Sequence, residues 1–506
     1  MHLRINLLLL AIAACALGVH GQYPYFNQKH TVTGNAKVAG GITDSYIFTA
    51  SMTPDRRYYQ IARFDSVGHL EKDFLYDKDT IGDYDGCARC MEIHRGKVYT
   101  AANHFQNDNS PPYIVLIKLD EALSGVEHLD TLFAPIPYDQ GIQVWGMTRD
   151  SDSTFLLTGE VVIETRPLPN INWRHDPFVA RVDTNFNLIW FTAIPDPIVH
   201  RFLGLIGQDL VVDSYGGIMV TGSPPFWGLQ LHAWAARLRQ RDGQLLWRKE
   251  YTDGFGYSGL YVVDNGNGTY QYAMNKRISD LIITDLVQHG VMDTMGNRLS
   301  SHLIGNRSDL DGSPSPRENT IIDLVKTPDG HYYAAGMGYY GWFFGIGMKF
   351  TATGDSLWYR EFSSAPFAPQ GWPTEWVMLE NFFQKPDGSL VHIGFSRYTS
   401  GPSPWYVWLY GTDANGSGGI GLSDPEILPQ LRAFPNPLQD RLYLSWEGNP
   451  HQELRYRLQN LNGQNLLEGV YNTQTGINVQ ALPPGLYLLQ LHQNQRPAAV
   501  VKLIKH

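Results

Sequence analysis

Pro328-Asp329-Gly330-His331-Tyr332-Tyr333-Ala334-Ala335-Gly336 decides the fold, because the stretch recurs. Asp213-Ser214-Tyr215-Gly216-Gly217-Ile218-Met219-Val220-Thr221-Gly222 and Pro386-Asp387-Gly388-Ser389-Leu390-Val391-His392-Ile393-Gly394 follow the same order: a turn, a short β-rich strand, a glycine. Pro, Asp and Gly set turn geometry, and Val, Ile and Tyr suit a pleated strand. A second strand follows each copy, then a turn, then an apolar residue or Trp. Arg237 to Trp247 shows this second half, with Asp242-Gly243 in the turn. Lys349 to Trp358 repeats it around Gly354, and Arg181 to Trp190 repeats it with Asn187 in the turn.

That turn residue acts as a ruler, placed at Gly68, Gly125, Asn187, Gly243, Gly296, Gly354 and Gly416. Neighbouring marks lie about 53 to 62 residues apart, a period that suits a four-stranded propeller blade with long loops. A basic residue precedes most of the turns by five to seven positions: Arg63, Lys118, Arg181, Arg237 and Lys349. One four-stranded blade cannot bury both of its faces, whereas blades arranged radially cover one another and leave only short edges exposed. The expected fold is therefore all-β: a seven-bladed β-propeller, with six or eight blades as alternatives. The first copy is the weakest. Ser45 to Ser51 and Tyr58 to Asp65 read as strands, but the strand before them is unclear; His30–Gly34 or the stretch after Gly416 is expected to complete it through shared strands.

Composition agrees. Only 17 % of residues are charged, there are 50 Gly, and aromatics reach 12 %, a pattern of Gly-rich turns and aromatic strands rather than helices. The net charge of −10 is mild, and Lys and Arg form no basic stripe, which argues against nucleic acid as a partner.

The N-terminus reads as a signal peptide over 1–21. Arg4 provides the basic start, Leu7 to Leu17 is an apolar run of about eleven residues, and a membrane span needs roughly twenty. Val19-His20-Gly21 favours cleavage before Gln22; Ile12-Ala13-Ala14-Cys15 offers a rival lipoprotein site with Cys15 lipidated. Residues 22–418 are read as the propeller. Residues 419–431, with Gly421, Asp424-Pro425 and Pro429, are read as a linker.

Residues 432–506 read as a small β-sandwich. Asp440-Arg441-Leu442-Tyr443-Leu444 alternates as a strand does, Asn462-Gly463 is a hairpin dipeptide, and Pro484-Gly485 is a turn before Leu486-Tyr487. With Ala433-Phe434-Pro435-Asn436-Pro437 ahead of it and Lys502 and Lys505 behind, this segment resembles the C-terminal sorting domain of type IX secretion cargo in Bacteroidetes. The resemblance implies Sec export through the periplasm, recognition by the outer-membrane type IX machinery, and a secreted or surface-attached product. Its motif residues are Pro435, Asn436, Pro437, Gly463, Gly485 and Tyr487; Gln464 stands where that family more often has Arg. The central repeats resemble the tryptophan-containing propeller repeats of bacterial secreted proteins, including the quinoprotein-like type. Quinoproteins of that type use adjacent cysteines at the cofactor, whereas two residues separate Cys87 from Cys90 here. No cofactor is expected.

Cys87-Ala88-Arg89-Cys90 in an exported chain reads as a local disulfide. Haem attachment would need His where Met91 stands, and His94 alone does not make a zinc site. No nucleophile elbow, H-E-x-x-H motif or P-loop occurs. Asn306 to Gly312 contains Asp309 and Asp311 but lacks the further oxygen ligands of a calcium loop, so no metal is expected. His104, His175, His232 and His331 read as structural histidines. The functional hint lies in Trp173, Trp227, Trp342, Trp372, Trp376 and Trp405, placed in loops or at their edges; Trp190, Trp247 and Trp358 occupy the repeat position and read as core. Loop tryptophans stack on sugar rings or pack on partners. Trp227, Trp342 and Trp405 are accordingly the expected ligand contacts. The expected function is a secreted or cell-surface propeller that binds a glycan or surface protein; the alternative is a propeller glycoside hydrolase or lyase, whose site would gather Asp, Glu, His, Tyr or Arg from several blades.

Overall fold

The computed structural model describes residues 27–505 apart from 32–36, 54–56, 77–82, 106–110, 136–139, 165–172, 196–205, 224–231, 253–256, 278–284, 305–317, 340–342, 363–374, 399–404, 415, 417–431, 446–453, 461–464, 473–474 and 494–495. None of the described residues is helical, so no helix among them is long and apolar enough to cross a membrane. The chain divides into two compact units, Met1–Gly419 and Ile420–His506. The expected signal peptide and linker lie outside the described residues.

The first unit opens with β1 (Asn27–Thr31) and then forms antiparallel sheets in chain order. Sheet one is β2 (Ala39–Ile42), β3 (Tyr46–Met52), β4 (Tyr59–Asp65) and β5 (Leu70–Tyr76). In sheet two, β6 (Asp83–Asp85) and β7 (Met91–His94) share the place of one strand beside β8 (Lys97–Phe105), followed by β9 (Tyr113–Asp120) and β10 (Val126–Leu132). Sheet three is β11 (Ile142–Arg149), β12 (Thr154–Glu164), β13 (Trp173–Asp183) and β14 (Leu188–Ala193). Sheet four is β15 (Ile206–Val212), β16 (Gly217–Ser223), β17 (Ala233–Arg239) and β18 (Leu245–Tyr251). Sheet five is β19 (Tyr257–Asp264), β20 (Thr269–Arg277), β21 (Asp285–Asp293) and β22 (His302–Ile304). Sheet six is β23 (Glu318–Lys326), β24 (Tyr332–Tyr339), β25 (Phe343–Phe350) and β26 (Ser356–Phe362). Sheet seven is β27 (Glu375–Gln384), β28 (Leu390–Tyr398) and β29 (Trp405–Thr412), completed by β1.

The first strands of successive sheets touch one another, and β27 touches β2, so the ring is closed and the first strands line its centre. The architecture is a β-propeller. The fourth strands form the rim and carry its exposed apolar residues, among them Leu70, Leu188, Leu246 and Leu357. Between sheets the faces are packed with Val, Ile, Leu and aromatics, as in the clusters around Phe155 and Phe178 and around Tyr333 and Trp408.

Ring closure differs from the sequence expectation. Sheet one finds its own first strand in Ala39–Ile42. The N-terminal strand instead pairs with β29, from Asn27↔Tyr410 to Thr31↔Tyr406, and supplies the rim strand of sheet seven. Joining the two ends of the ring in one sheet makes opening the ring cost all of the hydrogen bonds of that pair.

The repeated residues have repeated jobs. Each marked turn follows the third strand of its sheet. A Cβ on Gly243 would stand 2.5 Å from the Trp190 ring, on Gly296 2.6 Å from Trp247, and on Gly416 2.5 Å from Trp358. The Trp on each of these rim strands thus lies beneath the turn of the next sheet, where a side chain would collide with it. His302 takes this place under Gly354, and His30 takes it at the closure, its Nε2 lying 2.6 Å from the Gly68 carbonyl. The ruler needs one adjustment: in sheets two and three the left-handed turn position is held by Leu123 (φ 51°) and Phe186 (φ 64°), not by Gly125 and Asn187. The basic residue before the turn reaches back to the Asp of the first turn. Arg181 meets Asp150 at 2.8 Å, Arg237 meets Asp213 at 2.7 Å, and Lys349 meets Asp329 at 2.6 Å.

The second unit contains β30 (Arg432–Phe434), β31 (Arg441–Ser445), β32 (Leu454–Asn460), β33 (Asn465–Val470), β34 (Ile477–Asn478), β35 (Gly485–Gln493) and β36 (Arg496–Lys505). They form two sheets, β30-β31-β34 and β33-β32-β35-β36, over a core that includes Leu442, Leu458, Ile477, Leu489 and Leu503.

Candidate functional site

A defect repeated along the channel creates the site. In β11, β15, β19, β23 and β27 the pairing register slips by one residue at the same place, leaving Trp145, Gln208, Gly259, Ile322 and Glu380 as bulge residues. A bulge places two residues opposite one and re-aims the side chains around it. The facing glycine of the second strand makes the close approach feasible: a Cβ on Gly222 would stand 1.9 Å from the Ile206 carbonyl, and on Gly394 1.9 Å from that of Met378.

Sheet two solves the same problem differently. Its first strand breaks between β6 and β7, and the break is spanned by Cys87-Ala88-Arg89-Cys90. Cys87 and Cys90 are joined in a disulfide, Cα to Cα 5.3 Å, and both are fully buried. The loop is anchored on either side: the Cys90 carbonyl accepts from Ala101 N at 3.1 Å and Thr100 Oγ1 at 2.8 Å, and the Arg89 carbonyl accepts from Met147 N at 2.9 Å. With its backbone held, Arg89 extends its side chain across the ring.

Arg89 Nη2 lies 3.1 Å from Asp209 Oδ1 of sheet four and 2.7 Å from Asp323 Oδ1 of sheet six. Its guanidinium carbon lies 5.5 Å from the ring centroid of Tyr261 on sheet five. Burial works against the Arg89 charge, but the two carboxylates outweigh it and hold the group firmly cationic. Burial pushes Asp323 up to about 6 even with Arg89 beside it, and burial raises the Tyr261 hydroxyl as well. The carboxylates also have a structural role. Asp209 accepts from Leu210 N at 2.9 Å and from Val262 N of the next sheet at 3.3 Å. Asp323 accepts likewise from Leu324 N at 3.0 Å and from the Phe382 backbone.

The remaining sheets complete the ring of polar groups. Lys37, just before β2, places Nζ 2.9 Å from Asp85 Oδ2 of sheet two and 3.7 Å from the ring centroid of Trp145 on sheet three. On sheet seven, Glu380 Oε2 accepts from Val38 N, and Asn381 Nδ2 donates to Val38 O at 2.8 Å. Burial lifts Glu380 to about 8, partly opposed by Val38 N and by Lys37. Each sheet, or for sheet one the Lys37 just before β2, therefore contributes to these contacts, and both signs of charge are present. Among the described residues no group of His, Cys, Asp and Glu could hold a metal ion.

The expected ligand contacts are not among these groups. Trp227, Trp342 and Trp372 lie outside the described residues; Trp173, Trp376 and Trp405 lie on β13, β27 and β29, with side chains outside the description. The Asn306–Gly312 loop is also outside it. The histidines have partners of their own: His175 Nδ1 is 2.7 Å from Glu160 Oε2, His104 is buried on β8 against Tyr84 and Tyr113, and His331 sits in the turn before β24. Sequence reasoning missed Lys37, Arg89, Trp145, Asp209, Tyr261, Asp323 and Glu380. One signal was present: Asp209-Leu210-Val211 and Asp323-Leu324-Val325 precede their turns in the same way.

In the second unit, Asn436 Oδ1 accepts from Ile504 N at 2.9 Å, and Tyr487 is buried with its hydroxyl donating to Pro483 O. Lys505 Nζ donates to Val479 O at 2.5 Å and Gln480 O at 2.8 Å. Pro435 and Pro437 follow cis peptide bonds, and Gly463 lies outside the described residues. Asn436 thus ties the start of this unit to its last strand.

No curated protein matches the chain at a significant level. Among solved structures, it resembles the quinohemoprotein alcohol dehydrogenase of Comamonas testosteroni (13 % identity, 84 % of this chain and 79 % of that one, TM-score 0.37). It also resembles the α-L-arabinanase of Penicillium chrysogenum in complex with arabinobiose (12 %, 77 % and 99 %, TM-score 0.39) and the native arabinanase of Bacillus subtilis (8 %, 76 % and 97 %, TM-score 0.30). At these scores neither activity nor substrate transfers. The family model for the secretion system C-terminal sorting domain matches residues 432–506, and this part of the chain is a type IX sorting domain that implies export to the cell surface or beyond.

Proposed function

We propose that the chain is an exported β-propeller whose channel cluster is a ligand-binding site, presenting a binding or adhesion module for a glycan or a surface protein. The mutual pairing of the charges in that cluster, Arg89 with Asp209 and Asp323 and Lys37 with Asp85, supports this reading, because paired and fixed groups suit holding a ligand. Fixed donors and acceptors at the centre of the ring can orient a polar ligand without reorganising. Trp227, Trp342 and Trp405 are proposed to add stacking contacts from the loops, and the type IX machinery is the proposed export partner.

A second reading, an enzyme acting on a polysaccharide, is favoured by the meeting of Arg89, Asp209, Tyr261 and Asp323 from four different sheets, the kind of gathering such a site would need, and burial raises the carboxyls of Asp323 and Glu380 in the direction a general acid requires. The mature chain, incubated with a polysaccharide panel and scored for both binding and product release, separates the two. Binding without products supports the module, and product release supports the enzyme. Binding that is unchanged in Arg89→Ala would overturn the channel as the site in either case.

A further inference from the structure

Each sheet ends at the rim on a strand with no neighbour on its outer side among the described residues. Such an edge is a template for another strand unless something blunts it. Six of the seven are blunted. β5, β10, β18 and β26 each carry two or three charged side chains, β1 carries Lys29, and β22 is only three residues long. The exception is β14, Leu188-Ile189-Trp190-Phe191-Thr192-Ala193. No charged residue or histidine occurs anywhere from Thr184 to Pro195.

Exposed apolar side chains do not by themselves set β14 apart, and neither does its one-residue bulge, which β5, β10, β18 and β26 share. The difference lies in what stands at and after the bulge. Sheets one and two place Glu71 and Glu127 there, whereas sheet three places Ile189, which is 49 % exposed. Sheets four and six place Leu246 and Leu357 there, but Arg248 and Arg360 follow on the same strands. Beyond its bulge β14 is regular, from Trp190↔Arg181 to Ala193↔Phe178. It is also held on both faces. Trp190 lies under Gly243, Thr192 Oγ1 donates to the Gly243 carbonyl at 2.8 Å, and the Phe191 ring stacks on Phe178 with centroids 5.2 Å apart. The edge is therefore presented in a fixed form, with little ordering left for a pairing strand to impose.

Charge selects the occupant. A charged strand laid on β14 would lose hydration of its ions and find no counter-ion in return. Among the longer rim strands of this chain only β14 is free of charge, so its match in a second copy is β14 again. Antiparallel pairing about a two-fold axis sets the two uncharged edges together and satisfies both rows of backbone groups. We infer that β14 is an interface through which two copies of the chain join edge to edge, sheet three of one continuing into sheet three of the other. The contact is small, so the dimer is weak and reversible, with a dissociation constant of about 1–100 µM. Each copy carries a net charge of −10, and salt screens that long-range repulsion without touching an uncharged contact, so dimerisation strengthens with salt.

Sedimentation velocity of the mature full-length protein from about 1 to about 100 µM tests this, at low and at physiological salt. A monomer–dimer equilibrium that tightens with salt is expected. Ile189→Glu gives sheet three the bulge residue that sheets one and two already have, and should weaken the dimer at least about tenfold, with circular dichroism and Tm confirming the fold. Leu246→Glu, at the same bulge position of sheet four, should leave the dimer unchanged. In the wild type, hydrogen exchange at the Trp190–Ala193 amides should slow as concentration rises, a readout that needs no variant. A protein that stays monomeric throughout the range would overturn the proposal. So would a dimer that Ile189→Glu leaves intact, one that Leu246→Glu disrupts, one that salt weakens, or growth past the dimer, since two-fold pairing closes after one step.

Discussion

Glu380→Gln should make the protein more stable, and only above mildly acidic pH. Glu380 is buried on the β27 bulge, accepts from Val38 N, and faces Lys37 and Asp85. Its carboxyl is raised from the ordinary 4.5 to about 8. The sign follows from linkage. Below pH 4.5 the group is protonated in both folded and unfolded chains and contributes no difference. Between 4.5 and 8 the unfolded chain releases the proton while the folded chain retains it, so stability falls as pH rises. Each pH unit across that window costs about 1.4 kcal/mol; the full window approaches 5 kcal/mol as a ceiling, on the order of 3–5 kcal/mol once the coupling to Lys37 and Asp85 is allowed for. Gln preserves size and a carbonyl oxygen for Val38 N but has nothing to ionise. Urea unfolding of wild type and variant at pH 5, 7 and 9 should give midpoints that start close together and diverge steadily in favour of the variant. A difference that stays constant with pH would refute the reasoning, because it would mean that Glu380 titrates alike in both states.

Three further outcomes follow from the geometry. Cys87→Ser with Cys90→Ser should cost about 2 kcal/mol, the modest figure set by so short a loop, yet should impair ligand binding more than this suggests, because Arg89 loses its fixed backbone; equilibrium unfolding compared with titration reads both. Gly222→Ala should destabilise by more than about 3 kcal/mol or prevent folding, since its Cβ would stand 1.9 Å from the Ile206 carbonyl at the β15 bulge, whereas Gly216→Ala, at a turn where a Cβ meets nothing, should cost about 1 kcal/mol through its positive φ alone; thermal melts separate the two. Deleting Ala433–His506 should leave the protein in the periplasm, and a truncated form found at the surface on fractionation would contradict the sorting role of the tail.

Much of the fold was legible along the chain. The turn glycines and the Trp that follows them repeat because each rim-strand Trp must lie under the next turn, as Trp190 does under Gly243 and Trp247 under Gly296. The spaced basic residues repeat because Arg181, Arg237 and Lys349 each reach the Asp of their own sheet. Both constraints act within one period or between neighbours, so they leave a local trace. The strand that closes the ring was harder to place, since β1 and β29 are separated by nearly the whole propeller and no local spacing records their pairing.

The site was mostly illegible. Arg89 sits between two cysteines and drew attention only as part of a disulfide; Asp209, Tyr261, Asp323 and Glu380 lie far apart in the chain and in otherwise ordinary strands. Order along the chain determined the repeat, the β-propeller class and the export tail, because these depend on short-range periodicity and on contiguous motifs. Tertiary structure alone decided which side chains meet, because a closed ring brings the first strands of the sheets together, and a one-residue bulge, invisible in sequence, shifts the register at Trp145 and Glu380 and just before Asp209 and Asp323.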